Sequence, residues 1–163
     1  MLINIILLIV SVGVHTITFF GIDPQAEFPL VWLLHPGIFL AFIPLLVIHW
    51  KETGERFGKM DHALVMKYAP EWMKIFCRVL TVYAVINFGL CLVLLDGGAT
   101  DIWDERYVLH SHGELIREVS AEEFRSLRSY EVRLFSGHWM IFYFYPIVGY
   151  WSYLNREEIT DNE

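Results

Sequence analysis

Two histidines in the second apolar stretch of the chain have a spacing that suits haem ligation. His35 and His49 are fourteen positions apart, close to four helical turns, so on one helix they share a face about 21 Å apart. Two b-type haems stacked across a membrane need such a separation, and each haem needs an opposing ligand. His15 and His138 lie toward the side of His35, whereas His49 has only His62 nearby. Haem ligation by these histidines is one hypothesis, and interfacial histidines at helix ends are the simpler interpretation.

A second histidine pair, His110 and His112, suggests a metal site. The two alternate by two positions, so on a β-strand both imidazoles point to one face and would bind a transition metal. His138 or a neighbouring carboxylate would complete the shell. A zinc site needs three or four converging ligands, and the local sequence supplies only the pair. Exposed hairpin histidines and a pH-responsive cluster with nearby carboxylates are the alternatives.

Polar residues inside the apolar stretches bear on transport. Tyr83 and Asn87 lie one helical turn apart, and such groups most often hydrogen-bond between helices rather than line a path. No Asp or Glu lies deep in an apolar stretch, so the acidic relay of pumps and transporters is missing. A channel or small-solute carrier formed by oligomerisation stays open. Nucleophile elbows, phosphate loops and H-E-x-x-H motifs are absent, which favours a protein that is not an enzyme.

Four apolar stretches have to position these residues. Of the 163 residues, 55% are hydrophobic and the mean hydropathy is +0.43, more than a soluble core of this size can bury. Stretches of about twenty apolar residues are long enough to cross the hydrocarbon core of a bilayer. We therefore predict an all-α integral membrane protein, a four-transmembrane-helix bundle that forms one membrane domain over residues 1–163. The predicted transmembrane helices cover residues 2–21, 30–50, 70–95 and 134–154.

Residues 96–133, which we call the headpiece, form the longest segment outside these stretches. Short apolar runs on both sides of the Gly-containing turn Ser111–Gly113 predict a small extramembrane β-hairpin. Ser120 followed by Glu123 is a capping-box pattern. No proline follows until Pro146, so the fourth helix should begin outside the membrane and extend into it. The headpiece is too long for a mere connection, and we expect it to bind a partner.

The distribution of charge predicts the orientation. Lys51, Lys59, Lys67 and Lys74 all lie between the second and third predicted helices or at their ends. The positive-inside rule then makes this loop and both termini cytoplasmic, with residues 96–133 on the outer side of a bacterial-type inner or plasma membrane. A net charge of -7 without a basic cluster excludes binding to nucleic acid.

These patterns together predict a small integral membrane protein in contact with the lipid bilayer. We expect a non-enzymatic accessory, regulatory or immunity-type factor that binds a partner protein through the headpiece, and assembly into a homo-oligomer is also compatible with the sequence. No cofactor is expected for such a factor. The alternatives are a b-type haem or metal-binding redox subunit that uses the membrane and hairpin histidines, and an oligomeric channel or small-solute carrier.

Overall fold

The computed structural model describes residues 1–54 and 62–156, which are mostly helical with one small sheet. The helices are α1 (Leu2–Thr18), α2 (Pro24–Glu27), a 3-10 helix (Pro29–Leu33), α3 (Leu34–Thr53), α4 (His62–Val65), α5 (Glu71–Leu94) and α6 (Ala121–Leu154). The strands are β1 (Ala99–Trp103), β2 (Arg106–Ser111) and β3 (Glu114–Glu118). Lys59, one of the lysines behind the predicted orientation, lies outside the described residues.

Local side-chain chemistry fixes several helix ends. The Asp23 carboxylate accepts two backbone N–H groups in the first turn of α2, as an N-cap residue does. Ser120 accepts the backbone N–H of Glu123 at 3.2 Å, which confirms the start predicted for α6. Helix α3 ends at Gly54, whose φ of 69° lies in the left-handed region that glycine adopts at little steric cost.

Helix α6 is the centre of the fold, because α1, α3 and α5 all pack against it far more than against one another. Every residue from Tyr143 to Tyr150 is buried, and Trp139 is completely enclosed. The Tyr143 hydroxyl reaches across to α3 and donates to the Leu34 carbonyl. In a four-helix bundle each helix shares a common core with two neighbours. The prediction of a four-helix bundle is therefore wrong, since three helices here surround a fourth.

The prediction of four transmembrane helices is wrong as well. Among the described residues, two helical stretches are long and apolar enough to cross a membrane, Pro29–Lys51 and Glu71–Leu94. Helix α1 has 17 residues and ends at Thr18, short of the predicted residue 21. Helix α6 is long, but its first half is charged, and tyrosine, serine, glycine and histidine dilute the hydropathy of its second half. Length and composition thus support two candidate spans.

The headpiece contains an antiparallel sheet with the strand order β1–β2–β3. The predicted hairpin is confirmed as β2 and β3, with His112 and Gly113 in its turn. Strand β1 was not predicted. Leu109 of β2 packs with Leu127 and Leu134 of α6, so the sheet is fixed to the beginning of the central helix.

Candidate functional site

One face of α1 supplies the most polar part of the helical core. Asn4, Ser11, His15 and Thr18 recur at spacings of seven, four and three, which places them on one side of an α-helix. All four are buried, and α6 is the element that α1 contacts most. Helix α1 therefore turns its polar residues toward α6 and leaves mostly apolar residues exposed.

His15 joins α1 to α5 and α6. Its Nδ1 lies 2.7 Å from the Ser136 hydroxyl, and its Nε2 contacts the Tyr83 hydroxyl. Since Ser136 donates to the Arg133 carbonyl at 3.3 Å, the consistent tautomer has Nδ1 donating to Ser136 and Nε2 accepting from Tyr83. Burial, followed by the charge of Arg133, lowers the pKa of His15, which lies outside both candidate spans, to about 4. The imidazole is thus neutral at pH 7, with both nitrogens engaged.

The Ser136–His15 pair resembles a nucleophile beside a base, but it is placed for packing. Ser136 has no exposed surface, so a substrate would reach its hydroxyl only if α1 moved away. A satisfied buried network of this kind holds helices in one arrangement. From the sequence alone, His15 and Tyr83 were candidate site residues, but Ser136 was not. The signal was present, because the small residues Ser136 and Gly137 in mid-helix indicate a close helix contact.

Asn87 makes the next contact between α5 and α6. Its Nδ2 donates to the Arg133 carbonyl at 2.9 Å. The two helices are so close that a Cβ added to Gly137 would lie 2.7 Å from this same Nδ2. Both Tyr83 and Asn87 therefore use their polar groups in helix packing. The channel hypothesis stays untested, but these two residues no longer support it.

The remaining histidines proposed as haem ligands have separate partners. His35 accepts the Trp139 indole N–H at 3.2 Å, and His138 donates to a carbonyl of its own helix at 3.0 Å. His49 Nδ1 lies 2.6 Å from the Tyr153 hydroxyl, while its buried Nε2 has no hydrogen-bond partner among the described residues. In the part of the chain that the structure describes, no hydrogen bond or ring contact joins two of these imidazoles. Haem ligation stays a prediction, for which a Soret band is the test.

His110 and His112 are not on the same strand. Strand β2 ends at Ser111, and His112 occupies the turn with a φ of 51°, so the alternation expected to align the two imidazoles is lost. The His110 ring lies against Trp103 with centroids 5.3 Å apart, and its buried Nδ1 has no hydrogen-bond partner in the described part of the chain. Within residues 1–54 and 62–156, no group of three or more His, Cys, Asp or Glu side chains is arranged to hold a metal ion. Metal binding by this pair stays a prediction that lacks a third ligand.

Comparisons with known proteins give no match, whether to protein-family models, to curated proteins or to solved structures. The geometry of the side chains therefore has to indicate the function. Besides the network around His15, that geometry includes an unpredicted junction between the sheet of the headpiece and the helices.

Charged side chains form this junction. The Asp23 carboxylate lies 2.9 Å from Nε of Arg128, and both side chains are largely removed from solvent. One turn further along α6, the Glu131 carboxylate accepts the backbone N–H of Thr100 in β1. Burial raises the pKa of Glu131, and the Thr100 donors oppose this shift. The contacts connect the link before α2, the sheet and the central helix.

The sequence contains a signal for the unusual position of Glu131. An apolar stripe on α6 consists of Phe124, Leu127 and Leu134. Glu131 lies four residues after Leu127 and three before Leu134. It therefore belongs to the same face. A carboxylate in an apolar stripe is costly unless it has a partner, so the spacing alone predicts a buried partner. That partner was beyond prediction, because Thr100 lies on the strand that the sequence did not reveal.

Proposed function

We propose that this chain is a membrane-associated, non-enzymatic accessory, regulatory or immunity-type factor that binds a partner protein through the headpiece. The observation that carries the proposal is the construction of the headpiece. It is a three-stranded sheet fixed to α6 rather than a short link between α5 and α6. A connection that only joined two helices would need a few residues. The additional ordered surface is therefore available for recognition.

The direction of the apolar side chains supports membrane association. In the most apolar part of Pro29–Lys51, only 28% of the residues are buried inside the chain. In the most apolar part of Glu71–Leu94, the buried share is 22%. A core helix of a water-soluble protein would be mostly buried. Exposed side chains such as Leu40, Val85 and Ile86 need an apolar cover, and lipid supplies one.

The lysines indicate which side of the membrane the headpiece faces. Lys51, Lys67 and Lys74 lie between the two candidate spans or at their facing ends, and the positive-inside rule makes this region cytoplasmic. We therefore propose that the headpiece is on the outer side of an inner or plasma membrane. The cytoplasmic placement of the termini depended on four crossings, so it is not part of this proposal.

Strand β3 carries the most suitable surface of the headpiece. Leu115 and Ile116 are 51% and 40% exposed. The next residue, Arg117, pairs with Glu123 at 2.6 Å and so ties the strand to α6. Leu115 is thus an ordered, exposed apolar residue beside charged groups, as in a protein interface, where an apolar centre is surrounded by a polar rim. We expect Leu115 to lie in the centre of the contact.

The test is affinity purification of the full-length protein from membranes. Leu115→Arg places a charge in the proposed contact at an exposed position, so we expect at least about tenfold less bound partner, as for a central interface residue. Glu27→Arg is the matched control, because it introduces the same side chain at an exposed position outside the headpiece. Both variants should fractionate with membranes like the wild type. Equal partner recovery with Leu115→Arg and with wild type would contradict the proposal.

A further inference from the structure

An apolar cavity of about 370 Å³ lies between the end of α5, the middle of α6 and strand β1. Its walls include Phe88 and Leu92 from α5 and Leu134 and Phe135 from α6. The volume is at the lower end of the range for small-molecule sites. The cavity therefore has room for a short hydrocarbon chain or a ring.

A second cavity of about 360 Å³ adjoins the first and is more polar. Asp101 of β1 and Arg128 of α6 contribute to its lining. Trp32, Thr100 and Glu131 line both cavities, so the two share a wall. A molecule in the apolar cavity therefore lies against Trp32 and Glu131, which also border the polar cavity.

The charges around the polar cavity favour a cation. Arg128 is compensated, because the Asp23 carboxylate lies 2.9 Å from its Nε. The Asp101 carboxylate accepts the backbone N–H of Ile102 at 2.8 Å and the Trp103 indole N–H at 2.9 Å. These hydrogen bonds lower the pKa of Asp101. Glu131 accepts a backbone N–H and has no cation of its own among the ion pairs of the described residues. Asp101 and Glu131 thus leave an excess of negative charge.

We infer that the apolar cavity binds an organic ammonium ion, with the ammonium group at the border with the polar cavity, beside Glu131 and Trp32. Aromatic faces attract ammonium ions, and tryptophan does so most strongly. The Trp32 ring is held in place by edge contacts with Phe135 and Trp139, whose centroids lie 5.2 and 5.9 Å away. The site therefore combines an apolar wall, an aromatic ring and carboxylates, and it lies near the end of the candidate span Glu71–Leu94.

The burial of Glu131 gives the site a characteristic pH dependence. Burial raises the pKa of this carboxyl in the free protein, and an adjacent ammonium ion favours the ionised form. Binding should therefore strengthen as the pH rises through the titration of Glu131. The charged groups that act on Glu131 are Arg128 on the same helix and Asp23 before α2.

The direct test is photolabelling of the full-length protein in a non-ionic detergent that contains no ammonium group. The probe is dodecylamine with a diazirine in its chain, and the controls are the same chain ending in an alcohol or a carboxylate. Peptide mass spectrometry should find the amine on residues 88–99 and 131–135. We expect at least about tenfold more labelling there by the amine than by the carboxylate, because the carboxylate would add like charge to the site.

Matched variants separate this site from the general apolar surface. Glu131→Gln keeps the hydrogen-bond acceptor but removes the charge, so we expect about tenfold weaker labelling and no pH dependence. Glu122→Gln, at an exposed position of the same helix, should change neither the amount of labelling nor its pH dependence. Leu92→Trp fills the apolar cavity, whereas Leu90→Trp lies on the same helix outside its lining. If circular dichroism shows that Glu131→Gln fails to fold, Trp32→Leu replaces it with the same expected loss, because it removes the aromatic face at the border of the two cavities.

Competition distinguishes the source of the ligand. Displacement of the probe by phosphatidylethanolamine but not by butylamine identifies a bilayer lipid, and the reverse identifies a soluble amine. Either result supports an ammonium site, and displacement by both does so without selecting a source. Displacement by neither would overturn the inference. Equal labelling by the amine, alcohol and carboxylate probes would also overturn the inference. So would unchanged labelling of a folded Glu131→Gln variant.

Discussion

Helices α5 and α6 lie side by side but bury different kinds of residue. Helix α5 exposes most of its large apolar side chains, whereas α6 encloses most of its own. The exposed residues of α5 include Val85 and Ile86, while small or polar residues such as Ala84 and Asn87 face inward. Helix α6 instead encloses aromatic residues such as Trp139. A predominantly apolar composition thus accompanies the helix that leaves most of its side chains exposed on the chain. A mixture of aromatic, small and polar residues identifies the helix that the others surround.

The largest difference between the two helices should appear when a bulky side chain is removed from each. Trp139 has no exposed surface and also donates to His35, so Trp139→Ala should lower the free energy of unfolding by about 3–5 kcal/mol. Ile86 is 64% exposed. Ile86→Ala should therefore change the free energy of unfolding by less than about 0.5 kcal/mol. Titration with a denaturing detergent, followed by circular dichroism, measures both. Equal losses would show that α6 is not the core of the molecule.

The polar face of α1 sharpens the comparison, because its contact with α6 depends on a neutral imidazole. His15 has a pKa of about 4 in the folded chain and the ordinary value of 6.5 when unfolded. Between these values the unfolded chain binds more protons, so stability is complete above pH 6.5 and falls as the pH decreases toward 4. The total loss is up to roughly 3 kcal/mol, at about 1.4 kcal/mol per pKa unit.

His15→Gln should remove this part of the pH dependence. Carboxylates titrate in the same range, so the informative quantity is the difference between wild type and variant in the free energy of unfolding at pH 7, 6, 5 and 4. That difference should shrink as the pH falls, because the wild type alone loses the contribution of His15. A constant difference at all four values would mean that the folded imidazole titrates normally.

The features that the sequence predicted correctly depend on neighbours along the chain. Ser120 accepts the N–H of a residue three positions on, and the turn at Gly113 joins adjacent strands. The central position of α6 depends instead on three helices that come from distant parts of the chain. His15 and Tyr83 could be selected one by one as polar residues in apolar stretches. Their connection through Ser136 could not, because it joins residues 121 positions apart.

Replacing one glycine in each helix should give the smallest changes in the free energy of unfolding. The two changes should have opposite signs in α5 and α6. Gly137 of α6 faces Asn87, so the Cβ of Gly137→Ala would lie 2.7 Å from Asn87 Nδ2. Asn87 is itself held by its 2.9 Å hydrogen bond to the Arg133 carbonyl and has little freedom to retreat. The alanine should therefore cost about 1–3 kcal/mol, as overpacking does.

Gly89 of α5 is the matched position, because a Cβ there would meet nothing within 4 Å. Gly89→Ala should raise the free energy of unfolding by about 0.4–1 kcal/mol, since alanine restricts the unfolded chain and favours the helix. The same substitution is thus expected to destabilise the surrounded helix and to stabilise the outward-facing one, as measured by the unfolding titration described for Trp139→Ala. Stabilisation by both alanines would mean that α5 and α6 are less closely packed than the contact between Asn87 and Gly137 implies.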